Sequence, residues 1–255
     1  MIKTLRIIAA IMCMVVAMTC CTKPDEPMND GGDDGYVATV VPHNGGSNDS
    51  VTHGFVDLGL SSGRLWATCN VGADTPEEFG DYFAWGETTT KEVYDWKCYK
   101  YSTYVEGDFR LNKYCADPAY GFNGYVDNLT VLETSDDAAL ASWGTGWRMP
   151  TMEDWEELFL ETTKTWVEVN GVEGLLITGE NGNSIFLPAA GYRDDSEFIL
   201  SNIGVYWSST LQTKLEIVAW SFHLTPSWNH VCGSYERARG QVIRAVRSTE
   251  RCYRK

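Results

Sequence analysis

The pattern of apolar and polar positions changes character along the 255 residues. Ile7–Met18 is an unbroken apolar run of twelve. Over residues 22–50 the apolar positions thin to one short group, "YVATVV", set between "NDGGDDG" and "HNGGSNDS". From Gly54 to Arg247 they recur with periods that specify elements. "FVDLGLSSGRLWATCNVG" reads as two short strands around a turn at Ser61–Gly63, and "GDYFAWGE" as another. Residues 90–145 are irregular, with one or two helical turns expected at Asp136–Ala141. Thr151–Thr163 carries the clearest helical period, with Trp155, Leu158, Phe159 and Thr162 on one face. Thr151 is a good N-cap, Asp154 stands three places on, and Pro150 keeps Met149 out of the helix. Beyond it, "WVEV", "EGLLIT" and "SIFLPA" are separated by Asn170–Gly171 and Asn181–Gly182, turns whose residues tolerate positive φ at both places. "VYWSST", "IVAWSFHL" and "GQVIRAVRS" complete the strands. In "IVAWSFHL" the alternation sets Val218, Trp220, Phe222 and Leu224 against Ala219, Ser221 and His223. Trp207, Trp220 and Phe222 are expected in the core. The class is α+β: few helices, short antiparallel strands and long loops.

The first twenty residues change this picture. Lys3 and Arg6, the apolar run and the cysteine-rich end "AMTCCTKPDE" have the form of a secretory signal. Twelve apolar residues are too few for a spanning helix, which needs roughly 20. The paired cysteines point to a lipoprotein, with Cys21 as the lipidated residue and Cys20 as the alternative. Residues 1–20 are then the signal, 21–50 a tether and 51–255 the folded domain. Cleavage removes Lys3 and Arg6 and no acid, taking the formal charge from −15 to −17. Such a surface excludes nucleic acid, whose binding relies on Lys and Arg neutralising phosphates. It equally excludes peripheral docking on anionic lipid, so attachment falls to the lipid anchor. Cys69, Cys98, Cys115, Cys232 and Cys252 remain, an odd number with no CxxC pair for zinc.

Reactive chemistry is sparse. No HExxH, GxSxG or phosphate-cradling glycine loop occurs. His223 and His230 read as ordinary strand or loop histidines before they read as metal ligands. "ENGN" at Glu180–Asn183 and "RDDSE" at Arg193–Glu197 offer oxygens to calcium without EF-hand spacing, so no cofactor is assigned. Glu77–Glu78, Asp136–Asp137, Glu156–Glu157 and Asp194–Asp195 are adjacent carboxylates, and adjacency does not build a glycosidase pair across a cleft. Aromatics are denser between Tyr206 and Tyr235, where Trp228, Asn229 and His230 lie in the loop-like "TPSWNHVCGSYER".

Five segments, "FVDLGLSSGRLWATCNVGADTPEEFGDYFAWGET", "GWRMPTMEDWEEL", "NGNSIFLPAAGYR", "YWSST" and "GQVIRAVR", resemble in order the FISUMP paralogous domain over Phe55–Arg247. Proteins of that family are exported, often as lipoproteins, by Bacteroidetes-like bacteria. The family is similar to the C-type lectin-like fold of the formylglycine-generating enzymes, whose "GxRLPTEAEWE" matches "GWRMPTMEDWE". The resemblance implies that Arg148 holds backbone carbonyls or a carboxylate and that Trp147 packs under the loops. It implies that Arg244 and Arg247 are ion-pair partners. Cys232 is the only cysteine in the region where those enzymes oxidise a substrate thiol, and its flanking motifs differ from theirs. Other relatives vary the stretch that corresponds to Thr210–Arg239, which marks it as ligand-facing. The expectation is a monomeric, surface-exposed, non-enzymatic module on the outer membrane that binds an extracellular glycan or protein. Its contacts are Trp228, Asn229, His230, Ser234, Tyr235 and Arg237, with His223. The alternatives are an oxidase of the formylglycine-generating type or a metal-assisted hydrolase, and a structural subunit of a surface assembly using Tyr36–Val41 as an exchanged strand.

Overall fold

The computed structural model describes residues 53–200, 202–227 and 229–248, the side chains of 229–232 excepted. The expectations on Cys20, Cys21, Tyr36–Val41, Trp228 and Cys252, and on the side chains of Asn229, His230 and Cys232, lie outside the described residues. Along the chain run β1 (Phe55–Asp57), β2 (Arg64–Ala67), β3 (Ser102–Val105), β4 (Asp108–Leu111), α1 (Ala138–Trp143), β5 (Trp147–Arg148) and α2 (Met152–Leu160). There follow β6 (Thr162–Val169), β7 (Val172–Gly179), β8 (Ser184–Pro188), β9 (Tyr192–Asp194), β10 (Glu197–Ile199), β11 (Gly204–Leu211), β12 (Val218–Leu224), β13 (Asn229–Glu236) and β14 (Val246–Ser248). The architecture is α+β, with antiparallel strands in small sheets ordered β1-β2-β14-β5, β6-β7-β8 and β11-β12-β13, and two-stranded pairs β3-β4 and β9-β10. No helix among the described residues is long and apolar enough to cross a membrane.

Helix α2 starts where its capping chemistry dictates. Thr151 accepts from Asp154 N while Asp154 accepts from Thr151 N, closing a capping box. It ends three residues earlier than the periodicity predicts. Thr162 opens β6, because the run "TTKTWVEV" is rich in β-branched and aromatic residues and pairs along its whole length with β7. The β6–β7 connection has both Asn170 (φ 50°) and Gly171 (φ 81°) left-handed, the two-residue turn predicted. At the next connection only Gly182 is left-handed. Gly179 N instead donates to Asn183 O, giving a longer loop, and the Asn181 and Asn183 amides both donate to Asp57 O. That loop is thereby pinned to β1.

Trp155 on α2 stacks on Phe222 of β12 at 4.7 Å and lies 4.7 Å from Trp66 of β2. Replacing such a fully buried tryptophan with alanine costs about 3–5 kcal/mol. Residues 240–245 were expected in one strand with β14. They form instead an extended strap through the centre: Gln241 pairs with Phe83, Val242 O accepts from Trp207 N, and Ile243 O from Val71 N. Register shifts occur between β11 and β12 and between β12 and β13, with the extra residues on β11 and β13, so β12 keeps its alternation. Both faces of β12 are covered over much of its length, so Ser221 and Phe222 are both buried, while Trp220 is half-exposed rather than core.

The arginines of the last segment make no ion pair among the described residues, contrary to the family-based expectation. Arg244 is fully buried and donates to Asn70 Oδ1 and to the carbonyls of Ala67, Thr68 and Phe186 at 2.7–3.1 Å. These oxygens lie where the short sheets leave carbonyls unpaired, so carbonyls rather than a carboxylate neutralise its donors. Arg247 lies over the rings of Phe55 and Trp147 at 5.1 and 5.4 Å. Arg148 donates to Met149 O and to Asp154 Oδ2 at 2.6 Å, and Arg64 meets the same carboxylate at 2.9 Å. Trp147 is buried against Trp143.

Candidate functional site

Strands β12 and β13 pair Ala219 with Tyr235, Trp220 with Ser234 and Ser221 with Gly233, then resume at His223 with His230 after the shift. Directly paired residues project to the same face, so Tyr235 shares a face with Ala219, and Ser234 faces the other way with Trp220. His223 shares the face of Ala219 and Ser221 by alternation, and its ring reaches across β13 to 5.0 Å from Tyr235. Gly233 makes this crossing feasible, because a Cβ there would meet His223 ring atoms at 2.0–2.4 Å. Ser221 Oγ lies 2.7 Å from His223 Nε2. A serine and a histidine so placed resemble a nucleophile and its base, but Ser221 is fully buried, so no solute reaches its hydroxyl in this arrangement.

Two further elements complete the face. Tyr192 of β9 lies 5.1 Å from Tyr235, ring to ring. Arg239 sits 5.6 Å from both of those rings. Its guanidinium is held by Asp194 at 3.1 Å and stands 3.7 Å from Glu236. Tyr192, Asp194, His223, Tyr235 and Arg239 are all half-buried. Burial, and then the neighbouring Tyr192, push the Tyr235 hydroxyl up to about 12, so it stays protonated and can donate throughout the physiological range. The result is a rigid set of aromatic edges rimmed by one cation and two carboxylates. Flat apolar faces beside carboxylate acceptors suit a ring that carries hydroxyls, or a mixed polar protein surface.

Of the residues expected to touch a ligand, Tyr235 and His223 come together and Ser234 points to the opposite face. Arg237 does not belong to an exposed surface. It is fully buried, with Nη1 donating to Tyr114 O at 3.0 Å and Cζ 5.7 Å from the Trp85 ring. The chain turns inward there, since Arg237 N donates to Ile217 O and Arg237 O accepts from Trp85 N. Tyr192, Asp194, Glu236 and Arg239 were missed. The usable signal was "YRD" followed by "SEFI", a hairpin in which Tyr192 and Asp194 share a face by alternation.

Two of the candidate calcium ligands are otherwise engaged. Asn181 Oδ1 accepts from Asn183 N, and Asp194 holds Arg239. Among the described residues no group of three or more His, Cys, Asp or Glu is arranged to hold a metal ion. Cys69, Cys98 and Cys115 are free thiols. The adjacent carboxylates serve the fold. Asp137 accepts from Leu140 N and Met149 N, and Glu157 binds Ser61 and Ser62. Asp136 takes Lys113 Nζ at 2.6 Å and the Tyr114 hydroxyl at 2.5 Å. Burial opposes its charge, but these donors outweigh it and bring its carboxyl down to about 2.

No family model, no curated protein and no solved structure matches this chain.

Proposed function

We propose that this chain is a non-enzymatic binding module that presents the Tyr192–Tyr235 face to an extracellular ligand. The ligand is a glycan or a protein, with a neutral glycan favoured. A finer description of the fold as C-type lectin-like belongs to the same proposal. Its support is the order of the five motifs together with small antiparallel sheets joined by long loops. Lipidation at Cys21, with Cys20 second, and display of a monomer on the outer membrane rest on the signal-like first twenty residues.

The observation that carries the binding reading is the half-exposed ring cluster of Tyr192, Tyr235 and His223, locked by Arg239 between two carboxylates. Side chains fixed in this way lose little entropy on binding. A carboxylate excess at the rim favours a hydroxylated partner over an anionic one.

The test is a glycan and protein array probed with purified protein. Tyr192→Ala and Tyr235→Ala are each expected to weaken capture at least about tenfold, as truncated aromatic anchors do. Capture untouched by both substitutions overturns the reading. Labelled-palmitate incorporation lost in Cys21→Ala and kept in Cys20→Ala checks the anchor.

A further inference from the structure

Sharing no residue with the Tyr235 face, Glu87, Thr88, Thr89, Lys91, Cys98 and Lys100 line a pocket of about 330 Å³. That volume is at the lower end of the ~300–1,000 Å³ that small-molecule sites span. Its groups are partly committed and partly open. Glu87 is 6% exposed, and its Oε1 accepts from Lys91 Nζ at 2.9 Å and from Lys100 N at 2.7 Å. Its second oxygen takes no hydrogen bond from any described residue, and neither do the hydroxyls of Thr88 and Thr89 take or give one. Lys91 uses two of its three donors, on Glu87 and on Cys98 O. The Lys100 side chain is 49% exposed and its ammonium stands 3.5 Å from Asp136 Oδ1, while Lys113 and Tyr114 hold Oδ2 of the same carboxylate. The rings of Tyr94 and Tyr99 each lie within 6 Å of Lys91 Nζ, at 5.5 and 5.8 Å.

Lys91 keeps one donor unused, and the half-exposed Lys100 has donors beyond its contact with Asp136, so a ligand carboxylate finds charged donors here. The open Glu87 oxygen and the two threonine hydroxyls, in contrast, match hydroxyl groups that both donate and accept. We infer that this pocket binds a hydroxy acid of monosaccharide size, its carboxylate on Lys100 and Lys91 and its hydroxyls on Thr88, Thr89 and Glu87. The site shares no lining residue with the Tyr235 face, and its test is independent of that face.

Sodium glucuronate, titrated into the purified protein by calorimetry, is the probe, with glucose lacking the carboxylate and acetate lacking the hydroxyls. Glucuronate is expected to bind, with both controls at least about tenfold weaker, because each lacks one set of charge-assisted or neutral hydrogen bonds. Lys100→Met and Thr89→Val, both at exposed positions, are each expected to weaken glucuronate about tenfold with an unchanged melting temperature. Tyr235→Ala should leave glucuronate affinity intact. Bound glucuronate should also slow alkylation of Cys98 on the pocket rim, read as the mass of its peptide. Absence of both heat and Cys98 protection overturns the inference, as does affinity indifferent to both pocket substitutions. Glucose binding as tightly as glucuronate removes the assigned role of the lysines and overturns it equally.

Discussion

Arg237 and Arg244 lie seven residues apart on the last pass of the chain through the core, both with no exposed surface, and they are held in opposite ways. Arg244 places its donors on four oxygens drawn from two separate regions, Ala67–Asn70 and Phe186. The Arg237 side chain makes one hydrogen bond, to Tyr114 O, and among the described residues leaves Nε and Nη2 without a partner near the rings of Trp85 and Tyr99. The difference separates a brace from a passenger. Losing Arg244 would orphan the oxygens that bind it, whereas losing Arg237 would remove two orphaned donors along with one bond. The brace lies where β1, β2 and β8 converge. The passenger lies near the loops that carry both candidate sites.

The largest effect expected from this contrast is on Arg244. Arg244→Met should cost about 3–5 kcal/mol, read from the urea midpoint, because it leaves a set of buried acceptors unpaired. A cost below about 1 kcal/mol would erase the distinction between the two arginines. Next comes Gly233→Ala, whose new Cβ must displace the His223 ring and should cost about 1–3 kcal/mol, the range for overpacking. Because His223 lies against Tyr235, ligand capture on the array should fall with it, and retention of full capture would detach His223 from the site.

Acid should act near Arg237, since Tyr114 gives its carbonyl to that arginine and its hydroxyl to Asp136. The Asp136 carboxyl is depressed from 3.8 to about 2 in the folded chain. Its contribution to stability is therefore complete above the unfolded value and is lost as pH falls from about 3.8 through about 2. Urea midpoints measured over that window should decline, and Asp136→Asn should flatten that part of the profile. The smallest effect belongs to Arg237→Met, which should stay within about 1 kcal/mol of the parent, as replacement of a poorly paired buried charge by an apolar side chain allows. A loss as large as that at Arg244 would mean that the ring contacts alone hold Arg237 firmly in place.

Legibility followed range. The capping box at Thr151 and Asp154 and the Asn170–Gly171 turn depend on residues two to four apart, and both were readable. The end of α2 was not, because the choice between one more helical turn and a strand at Thr162 depends on β7 waiting to pair with it. Trp220 was misassigned for a similar reason. Alternation sets which face of β12 it shares with Phe222 and Leu224, but how far that face is covered at each position depends on packing from elsewhere in the chain. Part of the candidate site was visible as Tyr235 and His223, although Tyr235 was expected in a loop and lies on β13, in one hairpin with His223. Tyr192 and Arg239 were not, since only packing brings β9 and the strap after β13 against that hairpin.

By itself the sequence determined the class of fold, the position of its main helix, most of its antiparallel strands and an acidic charge unsuited to nucleic acid. Those properties follow from local backbone preference, side-chain period and summed charge, which need no knowledge of distant neighbours. The tertiary structure alone decided which arginine is a brace, that Arg237 faces inward, and that Glu87 closes a pocket with Lys91 and Lys100. Such outcomes depend on which donors find acceptors across the core, and that is settled only when residues far apart in the chain are packed together.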